Sequence, residues 1–97
     1  MELKSYQRAF LRSEAQNLDP VVNVGKDGLT DGVVEFLDLS LNAHELVKVR
    51  FQNSKDQIKD ISRELEKRTG STLVSITGFT SVFFRQDAKD PERIYKI

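Results

Sequence analysis

The sequence predicts a mixed α/β fold in the order αβαβαββ, in which the helices cover a β-sheet. Apolar residues recur at helical spacing within three segments, 5–17, 29–43 and 58–69. Short stretches rich in β-branched and aromatic residues separate or follow them, at 21–24, 46–51, 73–77 and 80–85. Because each strand, helix, strand passage requires a right-handed crossover, the helices are expected to pack on the sheet, which the last two strands complete.

The first helix is predicted to begin at Ser5, a suitable N-cap, and to end near Asn17. Its buried stripe is predicted to comprise Phe10, Leu11, Ala15 and Leu18. Lys4, Arg8 and Arg12 are spaced by four residues, so at about 100° per residue they lie within an arc of roughly 80°. This basic stripe is either a ligand-binding surface or a solvated helix face, and the spacing alone leaves both interpretations open.

Two glycines bracket the loop between the first strand and the second helix. The apolar run 21–24 stops at Gly25-Lys26-Asp27-Gly28, and helical spacing starts at Leu29. Glycine accepts positive φ and lets another molecule approach the main chain, and amides near a helix start point outwards. Such a loop suits a phosphate, and KH domains clamp nucleic-acid backbone with a GXXG loop. A plain turn also needs glycine, so the motif alone leaves both interpretations open.

The second helix is predicted to be capped by Thr30. Its buried face is predicted to comprise Leu29, Val33, Phe36, Leu37 and Leu41. Asp31, Glu35 and Asp38 form the opposite face, and carboxylates near a helix start complement its dipole. We interpret them as structural rather than as an acid and base pair, because no nucleophile or metal ligand is near in sequence. His44, at the end of the helix, is interpreted as structural for the same electrostatic reason.

The second half of the chain carries mainly structural signals. Ser54 and Gln57 match the capping box of a third helix with buried Ile58, Ile61 and Leu65, and Gly70 predicts a left-handed C-terminal cap. The last two strands are predicted to meet in a hairpin at Gly78-Phe79. Residues 86–97 are charged and have few apolar side chains with which to dock, so a loose tail is predicted.

The composition limits the classes of function. With 97 residues, 38% hydrophobic and 31% charged, one globular domain over 1–97 is predicted, with a core at about 4–85. Zero Cys and one His exclude disulfides, thiolate sites and multi-histidine metal clusters, and no cofactor or small-molecule substrate is predicted. No apolar run approaches the ~20 residues that span a bilayer and no signal peptide is recognised, so a cytoplasmic protein without membrane contact is predicted. Because 15 basic and 15 acidic residues cancel, any affinity for nucleic acid depends on where charges are placed.

Several segments together resemble a known family. They are YQRAFLRSEAQNLDPVVNVGKDGLTDGVVEFLDLSLNAHELVKVR at 6–50 and TGSTLVSITGFTSVFFR at 69–85, with the P-V-V-x-V-G-K-x-G-L-T and A-H-E-L-V-K-V runs in order. These segments resemble the CRM domain (chloroplast RNA splicing and ribosome maturation) in its small bacterial, YhbY-like form. The resemblance implies a mixed four-stranded sheet with three helices, similar to the C-terminal domain of bacterial translation initiation factor three. It also implies RNA binding through the GxxG loop and adjacent basic residues, and association with precursors of the large ribosomal subunit.

Three positions depart from the family pattern. Tyr6 stands where the pattern often has lysine, Asp27 where a neutral asparagine is usual, and Phe79 where a basic residue is common. Each departure removes positive charge or adds negative charge near the expected RNA surface. We therefore expect weaker RNA binding than the fold permits.

The leading hypothesis is a non-catalytic RNA-binding protein that associates with ribosomal RNA during ribosome assembly. The residues predicted to contact RNA are Gly25, Lys26, Asp27, Gly28, Lys4, Arg8, Arg12, Phe79 and Arg85. Phe79 is either a platform for an unpaired base or a hairpin residue packed on its neighbours. The alternative hypothesis is an adaptor that binds ribosomal proteins without touching RNA. An enzyme is the least supported class, since the sequence offers no nucleophile, base and metal set.

Overall fold

The computed structural model describes residues 2–52, 55–87 and 93–97. In chain order the elements are α1 (Ser5–Ala15), β1 (Val22–Val24), α2 (Asp31–His44), β2 (Leu46–Phe51), α3 (Ile58–Thr69), β3 (Thr72–Thr77) and β4 (Thr80–Phe84). A 3-10 turn at Lys55–Gln57 leads into α3. The predicted order αβαβαββ is confirmed.

The strands form one mixed sheet in the order β1-β2-β4-β3. Strand β1 is parallel to β2, whereas β4 is antiparallel to both of its neighbours. The closing hairpin therefore inserts β4 between β2 and β3, and these two strands run in the same direction. We call the end of the sheet where β1, β2 and β3 finish the carboxyl end, and the opposite end the amino end.

Helices α2 and α3 cover one face of the sheet. Their Leu37, Leu41, Ile58 and Leu65 pack against strand residues that include Val49 and Phe83. Alternation along β2 explains this face, because Val47, Val49 and Phe51 point to the same side. All of these side chains are at most 2% exposed.

Helix α1 covers the other face, but only near the amino end. Its Leu11 and Ala15 pack with Leu46, Val82 and Phe84. At the carboxyl end of the same face, the cross-strand neighbours Asn23, Arg50, Thr80 and Thr77 form a row that is exposed or half-buried. The α1 face therefore leaves a polar strip of sheet open at the carboxyl end.

Two predicted helix caps are confirmed and one is wrong. Thr30 caps α2, its Oγ1 accepting a hydrogen bond from the Val33 amide at 3.2 Å, and Gly70 ends α3 with φ 64° and ψ 27°. The prediction that Ser5 caps α1 is wrong, because Lys4 is the N-cap. The Lys4 amide donates to Gln7 Oε1 at 2.9 Å, which satisfies the helix start without a serine. The predicted cap at Ser54 lies outside the described residues.

Two aromatic side chains predicted to be buried are exposed. Phe10 on α1 is 43% exposed and Phe36 on α2 is 50% exposed. Each precedes a buried leucine, Leu11 or Leu37, by one residue. A step of about 100° around the helix turns the neighbouring position away from the sheet. Both helices thus bury narrower stripes than their apolar content suggests.

The prediction of a loose tail is wrong for residues 93–97. The buried Glu45 carboxylate accepts hydrogen bonds from the amides of Ile94 and Tyr95 at 3.0 and 3.1 Å. The Tyr95 ring packs edge to face on Phe84, with centroids 6.2 Å apart. The carboxylate that anchors this segment belongs to the residue that ends α2, a position with φ 64°. Within the described ranges, no helix has both the length and the apolar character needed to cross a bilayer.

Candidate functional site

The Gly25-Lys26-Asp27-Gly28 loop is a tight turn at the carboxyl end of β1. The Gly28 amide donates to the Gly25 carbonyl at 3.0 Å, which leaves Lys26 and Asp27 exposed at the tip. Gly28 has φ +69°, and a Cβ there would meet no atom within 4 Å. The backbone conformation therefore favours glycine at Gly28, while the space around it stays open.

Gly25 differs from Gly28 in this respect. Its φ is outside the positive region, and a Cβ there would lie 3.7 Å from Gln52 Oε1, an ordinary contact. The fold alone therefore tolerates a side chain at Gly25. The expectation that the loop adjoins the helix start also needs adjustment, because Leu29 and the cap Thr30 intervene before α2 begins.

The tip of the β3–β4 hairpin lies at the same end of the sheet as the glycine loop. The Phe51 amide donates to the Phe79 carbonyl at 2.8 Å, and the Gln52 amide donates to the Val24 carbonyl at 3.0 Å. These two backbone bonds tie the hairpin tip and the end of β1 to the end of β2. The structure thus brings together the loop and Phe79, which are about 50 positions apart in sequence.

Phe79 is 43% exposed, so the core does not enclose its ring. The Lys55 ammonium lies 5.7 Å from the ring centroid, within the range of a cation–π contact. Of the two interpretations that the sequence left open, complete packing on neighbours does not describe this residue. The ring remains a candidate surface for a ligand.

Arg8 and Arg85 lie at the amino end, away from the loop. Arg8 donates to the carbonyls of Leu73 and Val74 at 2.8 and 2.7 Å. Arg85 follows Phe84, the partner of Leu46 at the start of β2. Five residue steps of about 3.3 Å along β2 separate that end from Phe51, a distance of about 17 Å. The loop and Arg85 therefore do not form one compact site.

The guanidinium of Arg85 is bound within the protein. It donates to Asp38 Oδ1, to the carbonyls of Asp38 and Thr69, and to Asn42 Oδ1, at 2.5 to 2.8 Å. Its side chain is only 22% exposed. Arg85 holds α2 and the end of α3 to β4, which is a structural role. Lys4 and Arg12 are exposed on α1, whose buried side packs at the amino end.

Residues considered for catalysis are not assembled into a site. His44 is exposed at the end of α2, Asp31 is exposed in its first turn, and Asp38 bonds to Arg85. In the described part of the chain, no group of three or more His, Asp or Glu is placed to hold a metal ion.

Four residues at the carboxyl end escaped the sequence predictions, namely Asn23, Arg50, Gln52 and Lys55. Asn23 and Arg50 are partners across β1 and β2, so their side chains share the face that α1 leaves open. A signal for Arg50 was available in the alternation of LVKVRF, which places Lys48 and Arg50 opposite the buried valines. Lys55 carries no such signal, since only the tertiary structure places it beside Phe79.

Comparison with known proteins agrees with this architecture. The CRS1 / YhbY (CRM) domain matches residues 3–85. The "Probable RNA-binding protein YqeI" of Bacillus subtilis is 34% identical over 93% of this chain and 95% of its own length. An "RNA-binding protein" of Haemophilus influenzae is 34% identical over 86% of this chain and 85% of its own length.

A solved structure agrees as well. The solution structure of a hypothetical protein from Staphylococcus aureus superposes with a TM-score of 0.81 at 33% identity, covering 95% of this chain and 97% of the other. The family match covers most of the chain, and both relatives are matched over most of their own length. This chain belongs to the CRS1 / YhbY (CRM) domain family.

Proposed function

We propose that this chain is a non-catalytic RNA-binding protein whose Gly25–Gly28 loop contacts the RNA backbone. One observation carries the proposal: a left-handed Gly28 in open space holds a turn with Lys26 at its exposed tip. A backbone that is open to close approach beside an exposed ammonium suits a phosphate group. The names of the relatives, which describe RNA-binding proteins, support the same class of ligand.

Positive charge near the loop supports the proposal despite the zero net charge of the chain. Lys26, Arg50 and Lys55 are exposed at the carboxyl end, and the exposed Asp27, next to Lys26 in sequence, adds an opposing charge. We assign phosphate contacts to Lys26 and Arg50, and leave Lys4 and Arg12 as contacts for a longer RNA that reaches α1. Arg8 and Arg85 have intramolecular acceptors and are removed from the proposed interface.

The family resemblance extends the proposal to a biological partner. We propose ribosomal RNA in precursors of the large subunit as the RNA, bound in the cytoplasm during ribosome assembly. Crosslinking the tagged protein in cells and sequencing the attached RNA tests this assignment. Crosslinks spread over messenger RNA, without enrichment in large-subunit RNA, would refute it.

The loop assignment is tested by substituting two glycines with similar positive φ angles. Gly28 and Gly70 have φ +69° and +64°, and a Cβ at either would meet no atom within 4 Å. Valine at each site imposes similar backbone strain, but Gly70 ends α3 near the amino end. We expect Gly28→Val to abolish binding of a large-subunit RNA fragment in a mobility-shift titration, and Gly70→Val to retain it.

Two results would contradict the loop assignment. One is unchanged RNA affinity of a folded Gly28→Val, and the other is equal loss of affinity in both variants. If valine unfolds the protein, the alanine pair Gly28→Ala and Gly70→Ala gives the same comparison with less strain. Circular dichroism and urea unfolding establish that each variant is folded.

A specific surface also favours the second candidate function, binding to a ribosomal protein. Phe36 and Leu39 are 50% and 64% exposed on α2, and the exposed carboxylates of Asp31 and Glu35 lie on the same helix. An apolar stripe with acidic neighbours suits a basic protein segment better than RNA. If the protein acts as an adaptor, Leu39→Glu will abolish binding to purified large-subunit precursors, while Gly28→Val will leave it unchanged.

A further inference from the structure

A cleft opens at the carboxyl end of the sheet, between β1 and the hairpin tip. It has a volume of about 300 Å³ and is lined by Asn23, Arg50, Phe51, Gln52 and Phe79. Its base includes the open polar strip of the sheet, because Asn23 and Arg50 are cross-strand partners on the face that α1 leaves uncovered. The cleft lies directly beside the loop, since Gln52 Oε1 lies within van der Waals reach of a Cβ at Gly25.

Backbone hydrogen bonds hold the walls of the cleft in place. Gln52 is fixed to the end of β1 through the Val24 carbonyl at 3.0 Å, and Phe79 is fixed to β2 through the Phe51 amide at 2.8 Å. The Thr80 hydroxyl also donates to the Thr77 carbonyl at 2.8 Å, which closes the hairpin. The cleft is therefore formed before any ligand arrives, and a ligand orders only side-chain ends.

Three polar side chains line the cleft. Across residues 2–52, 55–87 and 93–97, the side chains of Asn23, Arg50 and Gln52 have no hydrogen-bond or ion-pair partner. This distinguishes Arg50 from Arg8 and Arg85, whose guanidinium groups are bound to protein acceptors. Two amides, each a donor and an acceptor, and one exposed cation line a site with an aromatic wall.

This combination of groups matches one unpaired nucleotide. A nucleobase offers a flat π-face to an aromatic ring and donors and acceptors along its edge, and its phosphate offers an anion. Duplex RNA does not present these groups together, because its bases are stacked and its major groove is too narrow for side chains to read. The groups that line the cleft therefore suit an unpaired nucleotide better than duplex RNA.

We propose that this cleft holds one unpaired RNA nucleotide, its base against Phe79 and its edge at Asn23 and Gln52, with Arg50 at a neighbouring phosphate. The proposal rests on the RNA-binding function proposed above and gives it a substrate class, single-stranded RNA. The nucleotide lies next to the stretch of backbone that the Gly25–Gly28 loop contacts. The loop supplies affinity for the backbone, and the cleft supplies selection for an unpaired base.

The test compares two probes, a single-stranded RNA of about eight nucleotides from large-subunit RNA and the same strand annealed to its complement. We expect the parent protein to bind the single strand at least about tenfold more tightly than the duplex. Phe79→Ala should weaken single-strand binding by at least about fivefold and change duplex binding by less than about twofold. Phe10→Ala, which removes a phenyl group from α1 that is 43% exposed like Phe79, serves as the matched control and should change neither affinity.

A second pair of variants tests the base edge. The double variant Asn23→Ala/Gln52→Ala is titrated with single strands that differ at one base. Their affinities for this variant should differ by no more than about twofold. Equal affinity of the parent for single strand and duplex would overturn the proposal. So would equal losses for both probes in Phe79→Ala.

The experiment also separates this inference from the proposed function. If Gly28→Val loses both probes while the Phe79, Asn23 and Gln52 substitutions change nothing, the loop function stands and the cleft proposal fails. If Gly28→Val binds normally while Phe79→Ala loses the single strand, the loop assignment fails and the cleft proposal stands.

Discussion

Both ends of the sheet carry arginines, but those at the amino end are hydrogen-bonded to the protein and the one at the carboxyl end is exposed. At the amino end, Arg8 and Arg85 donate to carbonyl and carboxylate oxygens of the protein at 2.5 to 2.8 Å. At the carboxyl end, Arg50 is exposed and has no acceptor among the described residues, and Lys26 stands at the tip of a turn. Bound arginines hold elements together, whereas unbound ones are available to a ligand.

The difference between the ends has a local physical cause. Helices α2 and α3 finish at the amino end, and the last carbonyls of a helix have no partner within it. Arg85 donates to one of them, the carbonyl of Thr69. At the carboxyl end the chain turns through a glycine loop and a hairpin. Backbone amides and carbonyls there bond to each other within the turn, as the Gly28 amide does with the Gly25 carbonyl. Neither α2 nor α3 ends there, so their last carbonyls do not need a guanidinium donor at this end.

The largest effect is expected when an arginine is removed at each end of the sheet. Arg85→Ala should lower the free energy of unfolding by about 2 to 3 kcal/mol, because it leaves Asp38 and the Thr69 carbonyl without their donor. Arg50→Ala should change it by less than about 0.5 kcal/mol, and instead reduce the salt dependence of single-stranded RNA binding by about 0.7 in slope. Urea unfolding and RNA titrations across salt measure the two quantities. A reduced slope in Arg85→Ala at unchanged stability would reverse the comparison.

A smaller loss of stability is expected at Arg8, with Arg12 on the same helix as the matched control. Arg8→Ala removes the donor to two carbonyls of β3 and should cost about 1 to 2 kcal/mol. For a domain of this size, each kcal/mol corresponds to about 4 to 8 °C in Tm. Arg12 is exposed, so Arg12→Ala should leave Tm almost unchanged. Equal Tm values for the two variants would mean that the Arg8 contacts contribute nothing to folding.

A still smaller change is expected from the charge at the tip of the glycine loop. Asp27 is exposed beside Lys26, and its carboxylate repels any phosphate bound at the turn. Asp27→Asn keeps the shape and the turn preference, so we expect affinity for a ribosomal RNA fragment to rise several-fold at low salt, and the gain to shrink as salt increases. Asp19→Asn, in the exposed loop before β1, is the control and should bind like the parent. Identical affinities of Asp27→Asn and parent at low salt would place the phosphate away from this turn.

The smallest effect concerns the docked C-terminal segment at the amino end. Burial, followed by the negative charges of Glu14 and Glu45, raises the pKa of Tyr95 above its usual value. The native state therefore holds this proton more tightly than the unfolded chain does. Its contribution to stability is complete below about pH 10 and is lost as pH rises through the raised native pKa.

Tyr95→Phe isolates this contribution, since it keeps the ring that packs on Phe84. Measured by urea unfolding from about pH 8 to about pH 11, the stability of the parent should fall more steeply than that of the variant. RNA binding at neutral pH should be the same in both proteins. Parallel pH profiles would show that the tyrosine hydroxyl does not titrate differently in the folded and unfolded states.

Much of the fold can be predicted from short-range sequence patterns. The element order, the Thr30 cap, the left-handed Gly70 and the hairpin at Gly78-Phe79 were all predicted, and the structure has them. Each depends on residues a few positions apart, such as a hydroxyl that reaches the third amide of its own helix. The exposure of Phe10 and Phe36 was not predicted, because the width of a buried stripe depends on what packs against it.

The candidate site also has one part that local sequence determines and another that tertiary contacts determine. The sequence by itself determined the glycine loop, because the need for positive φ at Gly28 is a property of the local backbone. Only the tertiary structure decided that Arg8 and Arg85 are bound to protein acceptors, since those acceptors lie 16 to 66 residues away along the chain. It also decided that Arg50, Lys55 and Phe79 adjoin the loop, through β-sheet pairing that joins the ends of distant strands. Hydrogen bonds between segments that are remote in sequence leave no local pattern, and they are what separates a binding arginine from a structural one.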